Sequence, residues 1–307
     1  MSQNEASQHP RDIMGSHGLS PTRHLGQNFL VSGALMDRIV SRAGVDSATA
    51  VLEIGTGLGR LTERLCRAAG AVVSVEIDRG LRKVAADRLR EYGNLALLHE
   101  DFLESKHSIN ARVTAALGKA GRGRAVRVVS NLPYAISSPA IINMLEWEID
   151  IERMDVMLQQ EVADRLMASP GTDRYGPLTV YAGYHAEVEK TMDVDRSAFW
   201  PQPKVASAVV AIHPRETECR VESYDTFVRV VRRLFQSRRK TLYRALSVGW
   251  DKTTARRVLD RLGREGRIRP GKLSVTEYAE IARAVARIRG IQDNESSEGL
   301  FERETDV

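Results

Sequence analysis

Apolar positions recur along this chain with two different periods, and the change of period divides it. Ser32 is placed to cap a helix whose Leu35, Met36, Ile39, Val40 and Ala43 share one face. Ala50-Val51-Leu52-Glu53-Ile54 then reads as a buried strand, followed by a glycine turn and a helix through Arg67. Val72–Val75 is a second strand before a charged helix over 79–91, Leu95–Leu98 a third and Val126–Val129 a fourth. A crossover helix over Ile109–Leu117 and an exposed loop are expected between Asp101 and Asn131, and further strands at Met154–Leu158, Glu187–Val194 and Val205–Ile212. Strands alternating with helices imply βαβ units and a parallel sheet.

After Pro214 the period is helical throughout. Phe227, Val230, Val231 and Leu234 form a stripe with Arg229, Arg232 and Arg233 on the other side. Ser274 to Glu277 is a capping-box pattern opening a helix with Ile281, Val285 and Ile288 inside. The fold class expected is α/β: a Rossmann-like domain over 21–214 followed by a small all-α C-terminal domain over 215–290. Residues 1–20 and 291–307 are polar and without periodicity, and are expected to be disordered tails.

Composition changes this picture at one point, the charge. The net +5 over 307 residues is unevenly placed: −3 over 1–195, +13 over 196–290 from 22 basic against 9 acidic residues, and −5 over the acidic tail. A third of a chain so basic points to a polyanion, and nucleic acid is the partner expected. No run approaches the ~20 apolar residues of a membrane span, and residues 1–20 lack the apolar centre of a secretory signal. A cytoplasmic monomer away from membranes is expected. Cys66 and Cys219 stand far apart, and the seven histidines form no ligand-like cluster, so reduced thiols and no metal are expected.

Gly55-Thr56-Gly57-Leu58-Gly59 follows a strand and opens a helix, where the backbone can approach a nucleotide-type ligand and offer free N–H groups. A dinucleotide fingerprint needs a small residue at position 60, which is Arg60; the third glycine comes one residue earlier, the spacing of S-adenosylmethionine enzymes. Glu76, about 20 residues on, is placed to take the ribose hydroxyls. Asp101, expected to close the third strand, could accept from the cofactor's adenine amino group with Phe102 beside the ring. Glu100 competes for that role.

Asn131-Leu132-Pro133-Tyr134 follows the fourth strand at the carboxyl edge of the sheet. An adenine amino nitrogen is a poor nucleophile because its lone pair is delocalised into the ring. Two fixed acceptors, the Asn131 side-chain oxygen and the Leu132 carbonyl, could hold its hydrogens and aim the lone pair at a methyl sulfonium. Pro133 fixes φ, and Tyr134 offers an aromatic face worth ~1–3 kcal/mol for a stacked base.

These motifs together resemble the ribosomal RNA adenine N6-dimethyltransferases, over about Leu25 to Ala245. His24 to Leu30 is similar to the family's N-terminal signature, which implies cofactor contacts from Asn28 and Leu30 with Gln27 nearby. Leu52 to Gly59 resembles the cofactor loop, with Gly55 and Gly57 in it, and Glu76, Asp101 and Asn131 the remaining cofactor contacts. Asn131 to Pro139 resembles the catalytic loop, Gln160–Leu166 and Tyr175–Leu178 the family's middle, and Phe199–Val205 a further motif. The resemblance implies that Phe199 clamps the target base opposite Tyr134. Phe235–Leu242 is similar to the basic linker, which implies RNA contacts from Arg238, Arg239 and Lys240. The longer 101–131 stretch, Ala206, and 193–198 depart from the pattern away from the methyl-transfer residues. The branch most resembled implies S-adenosyl-L-methionine as cofactor and dimethylation of two adjacent adenosines in the 3′-terminal hairpin loop of small-subunit rRNA, on the immature subunit. A large-subunit methylase conferring antibiotic resistance and a non-catalytic assembly factor are the alternatives.

Overall fold

The computed structural model describes residues 9–22 and 26–290. Its strands are β1 (Phe29–Leu30), β2 (Thr49–Ile54), β3 (Ala71–Val75), β4 (Leu95–Leu98), β5 (Leu103–Ser105), β6 (Ser108–Ile109), β7 (Ala125–Asn131), β8 (Ile151–Gln159), β9 (Ala186–Val194), β10 (Phe199–Trp200) and β11 (Ser207–Pro214). Seven of them form one sheet in the order β4-β3-β2-β7-β8-β11-β9. The first five in that order run parallel, and β11 is antiparallel to both its neighbours. Every residue of β2 is buried, as expected for a central strand covered on both faces.

The strand order reverses between β2 and β7. The chain winds outward from β2 through β3 to β4, then returns to place β7 on the other side of β2. Such a reversal opens a crevice beyond the carboxyl ends of the two strands, where α/β proteins take ligands. The glycine turn leaves β2 there and Asn131 ends β7 there. An antiparallel β11 beside β8 departs from the all-parallel dinucleotide-binding sheet.

The described residues divide into two compact units, one running up to Ala168 and including Tyr181–Glu216, the other comprising Ser169–Val180 and the described residues from Thr217 to 290. The second is helical, built on Tyr224–Gln236, Leu242–Gly249, Lys252–Leu262 and Val275–Arg289. Phe227, Val230, Val231 and Leu234 are fully buried in it, and the Ser274–Glu277 capping box is present. The 169–180 segment, expected to lie with the sheet, packs here. Tyr175 donates its hydroxyl to the Leu273 carbonyl at 2.6 Å, and its ring meets Phe235, which stacks on Tyr278 at 5.4 Å.

Other expectations need correcting. The 1–20 segment is not wholly without structure: Pro10–Ser16 is a helix, with proline in its first turn and the His9 side chain accepting from the Arg11 N–H. Ile13 and Met14 bury themselves against Phe29, Leu58, Leu81 and Val84, an apolar pair too small to stand out in a polar sequence. The 101–131 stretch holds the β5–β6 hairpin, so its helix begins later than expected, at Ala111 under an Asn110 cap. β4 ends at Leu98, which leaves Asp101 beyond the strand, in the connection to β5. The 291–307 tail lies outside the described residues. No helix among the described residues is long and apolar enough to cross a membrane.

Met14→Ala truncates a fully buried side chain, a loss of about 2–5 kcal/mol in a packed core. The helix is short and peripheral, so the loss is expected as local release. Amide exchange over 10–16 should accelerate roughly tenfold or more while the melting temperature moves little, which hydrogen exchange and calorimetry together would check.

Candidate active site

The glycine turn works by close approach. Gly55 has φ +87°, and a Cβ on it would sit 3.3 Å from the Pro133 Cγ, so the loops after β2 and β7 touch there. Gly57 has φ +57° and faces the Phe29 ring, where a Cβ would be 3.4 Å away. Only glycine takes these conformations without strain. The Gly57 N–H donates to one oxygen of Glu76 at 2.8 Å, and the Asp78 N–H to the other at 2.9 Å. Glu76 is thus pinned between the glycine turn and the turn after β3. Burial pushes its carboxyl group above the usual range, and the Asp78 and Gly57 N–H groups pull it back.

Asn131 is oriented by the N-terminal segment. Its Nδ2 donates to the Asn28 carbonyl at 3.1 Å, and its Oδ1 is buried with no hydrogen-bond partner. An orphaned buried acceptor is costly and uncommon, and this one belongs to a cavity wall shared with Gly55, Gly57, Glu76, Asp101 and Tyr134. Leu132 is buried and its N–H donates to Met157. The Pro133 carbonyl accepts from Ile136 and closes the turn. Tyr134 is half-buried, with its hydroxyl 2.8 Å from Ser207 Oγ, and burial raises its pKa.

Asn28 and Leu30 line the same cavity, as expected, but they also have structural roles. The Asn28 side chain bonds back to the Gly26 carbonyl, and the Leu30 carbonyl receives Arg60 Nη1 at 2.7 Å. His24 and Leu25 of the signature lie outside the described residues. Gln27 accepts from Thr22 and donates to Asp78, which caps the helix after β3. Asp101 lines the cavity and among the described residues accepts from the Leu103 N–H alone, whereas Glu100 is engaged by Arg112 at 2.7 Å and Asn110. Of the two, Asp101 has the capacity left for a ligand.

Phe199 is not brought to the cavity. It pairs with Leu30 across β1–β10 and is buried in a cluster with Met36, Val129, Met157 and Val209. Its neighbour Trp200 stacks on Phe29 instead. In the helical unit, Arg239 and Lys240 are exposed, but Arg238 points its guanidinium at the Thr172 and Asp173 carbonyls, 3.4 Å away.

Two cavity residues went unsuspected as participants. Arg60 occupies the position where a dinucleotide fingerprint needs a small residue. It is buried, joins the cofactor-loop helix to β1, and leaves its Nε without a partner. Its signal was an arginine at the first helical position, directly after the glycine turn. Glu53, one residue before the end of an apolar strand, is 1% exposed, and one of its oxygens accepts from Thr62 and Ser74, each at 2.6 Å. Burial raises its pKa to about 8, against those two hydroxyls, with Glu76 adding to the rise.

The donor set fits S-adenosylmethionine on three observations: the orphaned Asn131 Oδ1, the glycines whose positive φ would strain any side chain, and a lining with four acidic residues (Glu53, Glu76, Glu100 and Asp101) against Arg60. A Rossmann-like sheet with this turn after its first parallel strand and this asparagine ending its fourth defines an S-adenosylmethionine-dependent methyltransferase.

Within that class the chain belongs to the ribosomal RNA adenine dimethylase family, whose model matches residues 19–286. It is 39% identical to the ribosomal RNA small subunit methyltransferase A of Geobacillus thermodenitrificans, covering 90% of this chain and 94% of that one. The protein of the same name from Bacillus cereus is 37% identical over the same shares. Among solved structures, a dimethyladenosine transferase from Plasmodium falciparum superposes with a TM-score of 0.71 at 25% identity, covering 86% of this chain and 99% of that one. The 23S rRNA methyltransferase ErmE gives 0.60 at 25% identity, covering 84% and 99%.

The folded protein holds the Glu53 proton more tightly than the unfolded chain does. The contribution of Glu53 to stability is therefore full below about pH 4.5 and is lost as pH rises toward about 8. Glu53→Gln removes this dependence. The variant should match the wild type at pH 5 and exceed it above pH 8, by roughly 3–5 kcal/mol at most, as pH-resolved denaturant melts would show.

Proposed function

We propose that this protein dimethylates N6 of two adjacent adenosines in the 3′-terminal hairpin loop of small-subunit rRNA, using S-adenosyl-L-methionine, during assembly of the small subunit. It would do so as a cytoplasmic monomer. The observation that carries the reading is Asn131: with its Nδ2 held by the Asn28 carbonyl, its Oδ1 is left as a fixed acceptor. That oxygen accepts one amino hydrogen of the target adenine, and the Leu132 carbonyl accepts the other. The nitrogen is drawn toward tetrahedral geometry by positioning alone, with no strong base required. Tyr134 stacks on the extruded base, steadied by Ser207. Glu76 binds the ribose hydroxyls, Asp101 the cofactor's adenine amino group, and Asn28, Leu30, Gly55 and Gly57 shape the rest. When bound, the cofactor supplies an electrophilic methyl group on a sulfonium.

The small-subunit substrate is supported by the names of the relatives near 39% identity, and by Pro139 and the Arg238-Arg239-Lys240 segment. The large-subunit reading is favoured only by the fold shared with ErmE. Phe199 is buried behind the β1–β10 pair, so the proposal that it clamps the base opposite Tyr134 is the part of this reading that the burial does not support.

Labelled S-adenosylmethionine should mark immature small subunits with dimethyladenosine, and label confined to large-subunit RNA would reverse the assignment. Asn131→Ala should abolish transfer, a loss of at least roughly a thousandfold, while the circular dichroism spectrum is preserved. Arg239→Ala with Lys240→Ala should flatten the salt dependence of RNA binding by roughly two counterions. Arg238→Ala should instead loosen the 169–180 segment, since its guanidinium faces those carbonyls.

A further inference from the structure

Glu53 is a buried carboxyl group in a cofactor cavity, with no cation against it among the described residues. Its partners are two hydroxyls: Thr62 from the helix after the glycine turn and Ser74 from β3. Ser74 gives its proton to Glu53, so it accepts from Thr56, 2.6 Å away, and Thr56 stands between Gly55 and Gly57. A directed chain of hydroxyls therefore runs from the cofactor turn to the Glu53 carboxyl.

The other ionisable groups around it supply no counter-charge. Glu76, across from it on the end of β3, is acidic and raises the Glu53 pKa further. Cys66, on the helix, is a neutral thiol, pushed up to about 12 by burial, Glu53 and Glu63. Glu63 is bridged to Arg67 and Arg88. Arg60, Glu100 and Asp101 complete the charged lining of the cavity, and Arg60 is turned to the Leu30 carbonyl. Burial with no counter-charge pushes the Glu53 carboxyl group up to about 8.

We propose that Glu53 is a positioning residue that reads the charge of the methyl donor: it carries a proton in the free protein, ionises when the sulfonium form enters, and takes the proton back when the neutral thioether product is left. The inference rests on the methyltransferase reading above. A positive charge entering a low-dielectric cavity favours the ionised state of a nearby acid, and the proton released goes to solvent. Ionised Glu53 then accepts charge-assisted bonds from Ser74 and Thr62, which draws Thr56 and the glycine turn onto the ligand. The product differs from the donor by a methyl group and a positive charge, so only the donor induces this tightening.

Titration calorimetry of the full chain with S-adenosylmethionine and with S-adenosylhomocysteine, in buffers of different ionisation heat, tests it without turnover. Both ligands carry the same α-amino group, so its titration cancels in the comparison. Near pH 7 the donor should release close to one proton, and the product markedly less. The preference for donor over product should rise by up to roughly tenfold per pH unit between about pH 6 and 8, then level off. In Glu53→Gln the extra proton should vanish and the preference become flat with pH. Equal proton counts for the two ligands in the wild type would overturn the proposal, as would a difference that persists in Glu53→Gln. Failure of both ligands to bind the wild type would overturn the methyltransferase reading itself, and the proposal with it.

Discussion

The hydrogen bond from Asn131 Nδ2 to the Asn28 carbonyl is the constraint on which the cavity depends. A side-chain amide can present its oxygen in a defined direction only if its nitrogen is occupied elsewhere, and here the nitrogen is occupied by main chain from a distant part of the sequence. The β2–β7 reversal creates the crevice, but the segment before β1 gives it chemistry. That segment is in turn held by Arg60 at the Leu30 carbonyl, by Gln27 at Asp78, and by the Phe29–Trp200 stack. Residues far apart in sequence thus converge on one orphaned oxygen.

What was legible in the sequence was what local rules dictate. The glycine spacing after an apolar strand, an acid after the next strand and an asparagine after the fourth follow from backbone geometry and strand periodicity, and each falls on the cavity wall. The Ser32 and Ser274 caps likewise rest on short-range hydrogen bonding. What was not legible depended on packing between remote segments. Phe199 sits among polar residues and prolines in the sequence, and only its pairing with Leu30 shows that it is buried. Pro10–Ser16 has too few apolar residues to announce a helix without the surface that receives Ile13 and Met14. Arg238 carries charge like its neighbours, and nothing local says that its guanidinium faces backbone carbonyls.

The buried acids illustrate a second limit. Within an apolar strand Glu53 reads as one residue of a motif, and its neighbours Thr62, Ser74 and Thr56 as ordinary helix and strand residues. Their meeting makes a carboxyl group satisfied by hydroxyls and opposed by no cation. Such a group is sensitive to any charge that arrives, because the protein has left it without a counter-charge of its own. Glu76, by contrast, is held by backbone N–H groups on both oxygens and is rigid by construction. Two acids in one cavity are thus suited to different tasks, one to shape and one to charge.

The sequence of Ser169–Val180 has a consequence for modularity. The helical unit draws Tyr175 from a segment that precedes β9, and that ring packs on Phe235 while its hydroxyl ends on Leu273. The unit is therefore discontinuous, and a cut at residue 217 does not separate two heritable modules. Exchange of the basic unit between members of this family would have to carry two pieces of gene at once, or leave an aromatic stack without one of its rings. The interleaving binds the basic helical unit and the sheet unit to a common line of descent.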